Sequence, residues 1–594
     1  MITQILFLTA PLPAQGKRSP EITAAEVYEH IKYLASDELE GRKSGSKGAQ
    51  LAARYLEKEF RSYGLKPLGD NGTYFQKFEF LAGVNLGSKN SFSLRVSGKQ
   101  SSLKLETDFR PLGFSSAGSY TGEVVFAGYG ITAPDQKYDD YQGIDVKDKA
   151  VLVMRYSPAG DAPHNEFGPF TSLRYKVSKA KELGAKAILI VTGPQDSDED
   201  KLMKLAFDQT TGNAGIPSVN VTRAAAERIL PASLGEIQKG INEAKSPRSF
   251  LVKDVSLLLQ TDVQEIREMT ENLVGFLEGN DAKLKEEILV IGAHYDHLGY
   301  GGEGSGSLNP DTVAIHNGAD DNASGTAGLL ELAQYFASKE ANLKRSMLFL
   351  AFSGEEMGLL GSAYYTKNPT VALEKMITMV NMDEIGRLKD KKLIVYGMGT
   401  SPGFEALVIK YNKDSTFNLK LQKDGFGPSD HSSFYAKKIP VFHFFTDIHP
   451  DYHRPSDDFD KINAEGAKQV LDLIANISSE LAGAETRPLY AQVEAPRQPT
   501  GGGREGMRTY TGTIPDFGEQ VEGMKLAGVR EGSPAAKAGL QAGDIIIKFG
   551  KVDIKNLYDY TYALGEYKPG DEVDVVITRG KEKITVKVKL ERRN

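Results

Sequence analysis

The stretch Asn317-Gly318-Ala319-Asp320-Asp321-Asn322-Ala323-Ser324-Gly325 sets paired carboxylates in a Gly-bounded loop just ahead of an apolar-periodic helix. Upstream lies His294-Tyr295-Asp296-His297; downstream lie Glu355-Glu356, Asp383 and His453. Each group follows, or closely follows, a short apolar run of the kind that forms a buried strand. Seven of the nine histidines fall between 294 and 453, and ordinary core packing does not explain why two of them sit beside acidic residues at strand ends. The chain has no cysteine, so a metal must be held by His, Asp and Glu.

The candidate metal ligands are His294, Asp320, Glu356, Asp383 and His453. Five N/O ligands exceed what one catalytic zinc takes, which is three protein ligands and an open position. They suit two cations about 3.5–4 Å apart sharing one carboxylate. Three carboxylates and one hydroxide balance two divalent cations, which matters in a cleft where net charge is costly. Glu355 and Glu356 are adjacent and must point in different directions. One can hold metal while the other faces the water, as general base and then as acid toward a leaving amine. Asp296 lies two residues past His294, on the same side of an extended chain, and can fix its imidazole. Asp321 and Ser324 read as caps of the following helix, and His297 as a supporting or surface residue. His316, His443 and His449 receive no role. Asp430 and His431 are candidates for a pocket wall or members of a plain turn.

The elements that must position these groups alternate from about Thr270 to Ala484. Apolar runs at 288–292, 347–352, 376–381, 392–396 and 439–445 predict strands, and 326–337 and 464–481 predict helices. Such alternation predicts an α/β fold, a mostly parallel central sheet flanked by helices. Ligands in such sheets bind beyond the carboxyl ends of the strands, where nearly all of these polar groups fall. Two helices come earlier. Thr23-Ala24-Ala25-Glu26 is a capping box opening a helix to about Leu34. Lys47 to Tyr63 carries Ala49, Ala52, Leu56 and Phe60 on one stripe. Neither has strands of its own beside it, so both must pack on the later core.

Taken together, His294-Tyr295-Asp296-His297, Gly318 to Gly325, Ser353-Gly354-Glu355-Glu356-Met357-Gly358, Asn381-Met382-Asp383-Glu384 and Tyr452-His453-Arg454-Pro455-Ser456-Asp457 resemble the co-catalytic dizinc aminopeptidases (clan MH metallopeptidases). The resemblance implies two Zn2+ per chain. It puts His294 and Asp383 on one zinc, Glu356 and His453 on the other, and Asp320 between them. It makes Glu355 the general base and acid, and gives the Tyr452 phenol to the tetrahedral oxyanion. The implied activity is removal of N-terminal residues from peptides. A carboxypeptidase or other amide hydrolase on the same scaffold is the alternative; it would need a cation for a free carboxylate, and Arg387 and Arg454 are the nearby candidates. A non-catalytic peptide-binding protein is the third reading.

Two further segments carry resemblances. Residues 128–222 run "GYGI…DYQGIDVKDKAVLVMRY…AKELGAKAILIVTG…IPSVNVT" and are similar to the protease-associated domain, which implies a β-rich insert that shapes access or binds partners. Gly532-Ser533-Pro534-Ala535-Ala536 through Ile546 resembles a PDZ domain, which binds extended peptides by strand addition. The resemblance suggests Thr511-Gly512-Thr513-Ile514 as its carboxylate-cradling loop. Pro515 has no N–H for an added strand, so dimerisation or shielding stands beside peptide capture.

At 594 residues and about 100–200 residues per domain, three or four units are expected. The divisions read from the sequence are a leader at 1–20, an N-terminal peptidase part at 21–112, the insert at 113–262, the peptidase core at 263–485, a Pro/Gly/Arg-rich linker at 486–506 and the PDZ unit at 507–594. A net charge of −7 does not indicate a nucleic-acid partner. No run approaches the ~18 apolar residues of a membrane span. Ile5-Leu6-Phe7-Leu8, followed by small residues, resembles the end of a secretory signal and implies a secreted or periplasmic protein. Read as a plain tail, the same residues imply a cytoplasmic one.

Overall fold

The fold is taken from a computed structural model that describes residues 21–160, 166–205, 207, 213–302, 304–338, 343–413, 416–493, 509–515, 521–530, 532–555, 559–560, 563–564, 567 and 569–592. The expected leader at 1–20 and residues 494–506 of the expected linker lie outside the described residues.

The largest sheet is built from β1 (Phe75–Leu86), β2 (Val263–Leu277), β3 (Ile288–His294), β4 (Ser346–Phe352), β5 (Met376–Met382), β6 (Lys392–Tyr396), β7 (Asn418–Leu421) and β8 (Val441–Phe445). Its order is β2-β4-β3-β5-β8-β6-β7, with β1 and the two-residue Lys66–Pro67 paired to β2. The central four, β4-β3-β5-β8, are mutually parallel. Antiparallel pairs flank them, β2 with β4 and β6 with β8. Every residue of β3, β4 and β5 is buried. That is the pattern of parallel strands covered on both faces, and it explains why their sequences are continuous apolar runs.

Helices α1 (Ala24–Leu34), α2 (Lys47–Ser62), α3 (Gly325–Ser338) and α4 (Ala464–Gly483) cover one face. The Thr23 hydroxyl accepts from the Glu26 N–H and the Ser46 hydroxyl from the Ala49 N–H, capping α1 and α2. The predicted stripe Ala49, Ala52, Leu56 and Phe60 is buried, in one cluster with Val27 and Ile31 of α1, Leu329 and Leu330 of α3, and Phe349 of β4. The N-terminal helices thus complete a core whose strands arrive more than two hundred residues later.

Between β1 and β2 the chain builds a second, eight-stranded sheet. Ala150–Met154, Ala187–Val191 and Ser218–Val221 form its parallel centre. Its outer strands include Ser91–Val96 and Lys99–Leu103, so this sheet begins before the position 113 expected from the sequence. A third sheet comprises Thr513–Pro515, Met524–Val529, Ile545–Phe549, Val552–Asp553, Glu572–Arg579 and Glu582–Lys589. No helix among the described residues is long and apolar enough to cross a membrane.

Phe349 is wholly buried against the helical face. Phe349→Ala is expected to cost about 3–5 kcal/mol, read as a lowered urea midpoint of the peptidase segment. A loss below about 1 kcal/mol would contradict the packing described.

Candidate metal centre

The parallel register brings the carboxyl ends of β3, β4 and β5 to one edge. His294 closes β3 opposite Phe352, the last residue of β4. Glu355 and Glu356 follow β4 after Ser353 and Gly354, and Asp383 follows β5 at once. The Asp320–Asp321 loop enters α3, and His453 arrives on the segment after β8.

These groups form two donor sets that share one carboxylate. His294 Nε2 lies 3.2 Å from Asp383 Oδ1 and 3.5 Å from Asp321 Oδ1. His453 Nε2 lies 3.1 Å from Asp321 Oδ2 and 3.3 Å from Glu356 Oε2. Donors bound tetrahedrally to one zinc stand about 3.4 Å apart, which these separations match; His294, Asp321 and Asp383 converge on one point, as do His297, Asp321 and Glu356. The far ring nitrogens support the same assignment. His294 Nδ1 is 3.2 Å from the Asp296 carbonyl oxygen, and His453 Nδ1 is 3.0 Å from that of Gly306. With Nδ1–H donating outward, each Nε2 faces the cleft, where it would be the metal-binding nitrogen.

The shared carboxylate is Asp321, where the sequence reading had Asp320. Asp320 faces the other way: its Oδ1 accepts from the Gly386 N–H at 2.6 Å, and its Oδ2 lies 3.4 Å from His449. Nor does Asp321 cap α3; the Asn322 side-chain oxygen accepts from the Gly325 N–H. The backbone N–H groups of Asp320 and Asp321 both donate to Asp457 Oδ2, at 2.8 and 3.2 Å. Two adjacent carboxylates in a loop of irregular backbone give no periodicity from which to tell inward from outward.

His297 also joins the cluster, its Nδ1 2.6 Å from Glu356 Oε1 and 3.9 Å from Asp321 Oδ2. It holds the Glu356 oxygen that His453 does not face. The His-x-Asp-His spacing was the available sign. Asp296 accepts from Ser44 Oγ at 2.8 Å through Oδ2 and from the Glu355 N–H at 3.2 Å through Oδ1. It therefore ties the His294 turn to the Glu355 turn. Glu355 Oε2 lies 3.8 Å from His294 Nε2, beside the donor sets. The Tyr452 ring stacks on His453, centroids 3.9 Å apart. Asp430 and His431 are wholly buried, with His431 stacked on His443 at 4.3 Å, so they form no open pocket wall. Ser429 Oγ donates to Asp383 Oδ2 at 2.8 Å, leaving Oδ1 to face His294.

So many carboxylates in a dry cleft perturb one another. Burial raises the Glu355 pKa well above the usual carboxylate range, and Asp383 and Glu356 push it further. Burial opposes ionisation of Glu356 as well, but His453 and His297 outweigh it and hold that group well below normal. Burial keeps the Tyr452 phenol protonated, and Asp321 and Glu356 add to the effect. Two divalent cations would draw the carboxylates down together.

A buried arginine from the N-terminal segment organises the loops. Arg42 is 1% exposed. Its guanidinium donates to the carbonyls of Tyr295 at 2.8 Å, Asn317 at 2.7 Å and Gly318 at 3.0 Å, and also to that of Leu34. It thus grips the loops carrying His294 and Asp321 at once. Gly41 beside it has φ +68°, and a Cβ there would meet the carbonyl oxygens of His316 and Gly299 at 2.5 and 2.6 Å. In sequence Glu40-Gly41-Arg42 has only the look of a turn.

In the C-terminal unit, the Thr511 and Thr513 hydroxyls both bond to Tyr560 Oη, at 2.5 and 2.8 Å. The loop expected to cradle a carboxylate is held there by the domain's own tyrosine.

Residues 272–478 match the model of Peptidase family M28, residues 120–229 that of the PA domain and residues 507–590 that of the PDZ domain. The chain is 24% identical over 373 residues to Aminopeptidase YwaD of Bacillus subtilis (strain 168), covering 60% of this chain and 69% of that protein. It is 26% identical over 206 residues to a probable leucine aminopeptidase of Arthroderma otae, covering 33% and 55% respectively. Among solved structures it is similar to an aminopeptidase from Aneurinibacillus sp. strain AM-1, with a TM-score of 0.48 and 22% identity, across 80% of this chain and 98% of that one.

Arg42→Met would strip four carbonyls of their donor, at a cost on the order of 3 kcal/mol. The midpoint of thermal unfolding of zinc-free protein should fall, and zinc affinity should fall with it. An unchanged zinc affinity would show that the two loops hold their positions without the clamp.

Proposed function

We propose that this chain, whose residues 272–478 match the model of Peptidase family M28, is a zinc-dependent aminopeptidase releasing N-terminal residues from peptides. The reading rests on one observation above the rest: the Asp321 carboxylate lies between two donor sets, each with zinc spacing. His294 and Asp383 would hold one ion and Glu356 and His453 the other, with Asp321 shared and His297 supporting Glu356. Zinc there supplies Lewis acidity toward a peptide carbonyl and lowers the pKa of water.

The chain's own residues do the rest. Glu355 stands beside the donor sets without filling either. As a carboxylate it accepts a proton from the attacking water, and as the acid it returns that proton to the leaving amine nitrogen. Asp296 positions Glu355 through its backbone N–H. The Tyr452 phenol, kept protonated, is a hydrogen-bond donor for the oxyanion. Burial of the whole set strengthens each of these interactions.

The carboxypeptidase alternative needs a free cation for the substrate carboxylate. Arg387 is engaged by Asp451 and Asp457, both at 3.1 Å, and Arg454 by Asn309. Both expected cations are committed elsewhere, and the aminopeptidase reading is the better supported. The non-catalytic reading expects lost donors, and the two sets are intact. We also assign peptide capture to the C-terminal unit as its general role, and export to the N-terminal residues.

Glu355→Gln should retain zinc and lower kcat on aminoacyl chromogenic substrates about 10²–10⁴-fold; retention of more than a tenth of turnover would remove Glu355 from this role. Chelation should abolish hydrolysis and added zinc restore it. N-acetylated substrates should be poor, and faster cleavage of N-blocked than C-blocked dipeptides would favour the carboxypeptidase.

A further inference from the structure

A third set of donors lies on the far side of the Asp320–Asp321 loop. His449 Nε2 is 3.4 Å from Asp320 Oδ2 and 3.6 Å from Glu384 Oε2. These three groups converge closely enough to hold a metal ion, as do His294, Asp321 and Asp383. Asp320 is wholly buried, and the side chains of Glu384 and His449 are 8% and 9% exposed. Asp320 Oδ2, Glu384 Oε2 and both ring nitrogens of His449 have no hydrogen-bond partner. Two buried carboxylate oxygens therefore converge on one imidazole nitrogen at separations longer than an ordinary hydrogen bond. Asp457 Oδ1, 4.0 Å from His449 Nε2, is already engaged by Arg387 at 3.1 Å.

We infer that Asp320, Glu384 and His449 form a third divalent-cation site, separate from the pair of sites sharing Asp321. Distance decides between a metal and a simple ion pair here. His449 Nε2 stands 3.4 and 3.6 Å from the two carboxylate oxygens, longer than a charge-assisted hydrogen bond and close to the separation of donors that share one ion. The donor set, one nitrogen and two oxygens, suits zinc or manganese. The site is tied to the pair by chain connectivity: Asp320 precedes Asp321, and Glu384 follows Asp383. An ion at the third site fixes the outward residue of each doublet and, through it, the direction in which the inward one points.

The test is metal stoichiometry on the full chain, stripped by chelation and titrated with zinc alone. Wild type is expected to reach three ions per chain, and an anomalous difference map at the zinc edge should show density between His449, Asp320 and Glu384. His449→Gln and Glu384→Gln should each bind two, with third-site affinity lowered more than about 100-fold. Asp321→Asn should lose the paired ions and keep the third. A wild type that saturates at two, both lost in Asp321→Asn, overturns the third site and leaves the proposed function standing. A wild type that binds one ion, lost in His449→Gln, upholds the third site and sinks the paired centre. Three ions retained in His449→Gln would also overturn the assignment, and the wild-type map decides the matter should either variant fail to fold.

Discussion

Repulsion among buried carboxylates is the constraint on which this structure turns. Asp296, Asp321, Glu355, Glu356 and Asp383 crowd the carboxyl edge of one sheet with little solvent to screen them. Two like charges at such distances cost several kcal/mol in a poorly screened interior. A chain tolerates this only where cations are supplied. Part of that supply is built in: the Arg42 guanidinium lies behind the loops, and the acids around His294 and His453 raise both imidazoles above their ordinary pKa. The remainder is what divalent ions would provide.

Holding those groups in place is a task for backbone more than for side chains. Strands β3, β4 and β5 are buried along their whole length and end in register, so the residues just beyond them have little freedom. The irregular loops between are pinned by hydrogen bonds to main-chain groups. Asp457 takes two N–H groups of the Asp320–Asp321 loop, and Asn322 takes those of Gly325 and Glu384. Arg42 takes the carbonyls. Donor and acceptor demands of non-repetitive backbone, which no ladder can satisfy, are met by charged and amide side chains from distant parts of the chain.

The accessory sheet sits where it disturbs this least. Strands β1 and β2 pair from Phe75–Leu273 to Leu86–Val263 as one long antiparallel ribbon, and the insert grows from its far end. The chain leaves and re-enters at neighbouring points, so the peptidase core is interrupted in sequence without being opened in space. The C-terminal unit touches the core through Arg530, paired with Asp424, and the insert through Lys181, 3.8 Å from Asp559. Polar contacts of this kind join units that each keep a core of their own.

Much of this was legible in the residues themselves. Apolar runs of strand length marked β3 to β5, because strands buried on both faces leave no room for polar positions. The caps at Thr23 and Ser46 and the stripe on α2 marked helices whose partners were not yet in view. His294, Glu356 and Asp383 drew attention because each stands at or shortly after the end of such a run, and His453 because the Tyr452-His453 segment resembles a family motif; chain direction sends parallel strand ends to one edge. What residue order could not decide was orientation inside irregular backbone. Asp320 and Asp321 are chemically identical neighbours, and only the path of the loop over Arg42 and Asp457 turns one toward His294 and the other toward His449. The same holds for His297 and Arg42, whose importance lies in contacts across 59 and 276 positions of sequence separation. Composition and periodicity report which side a repeating element buries; where the backbone does not repeat, the choice belongs to whatever packs around it.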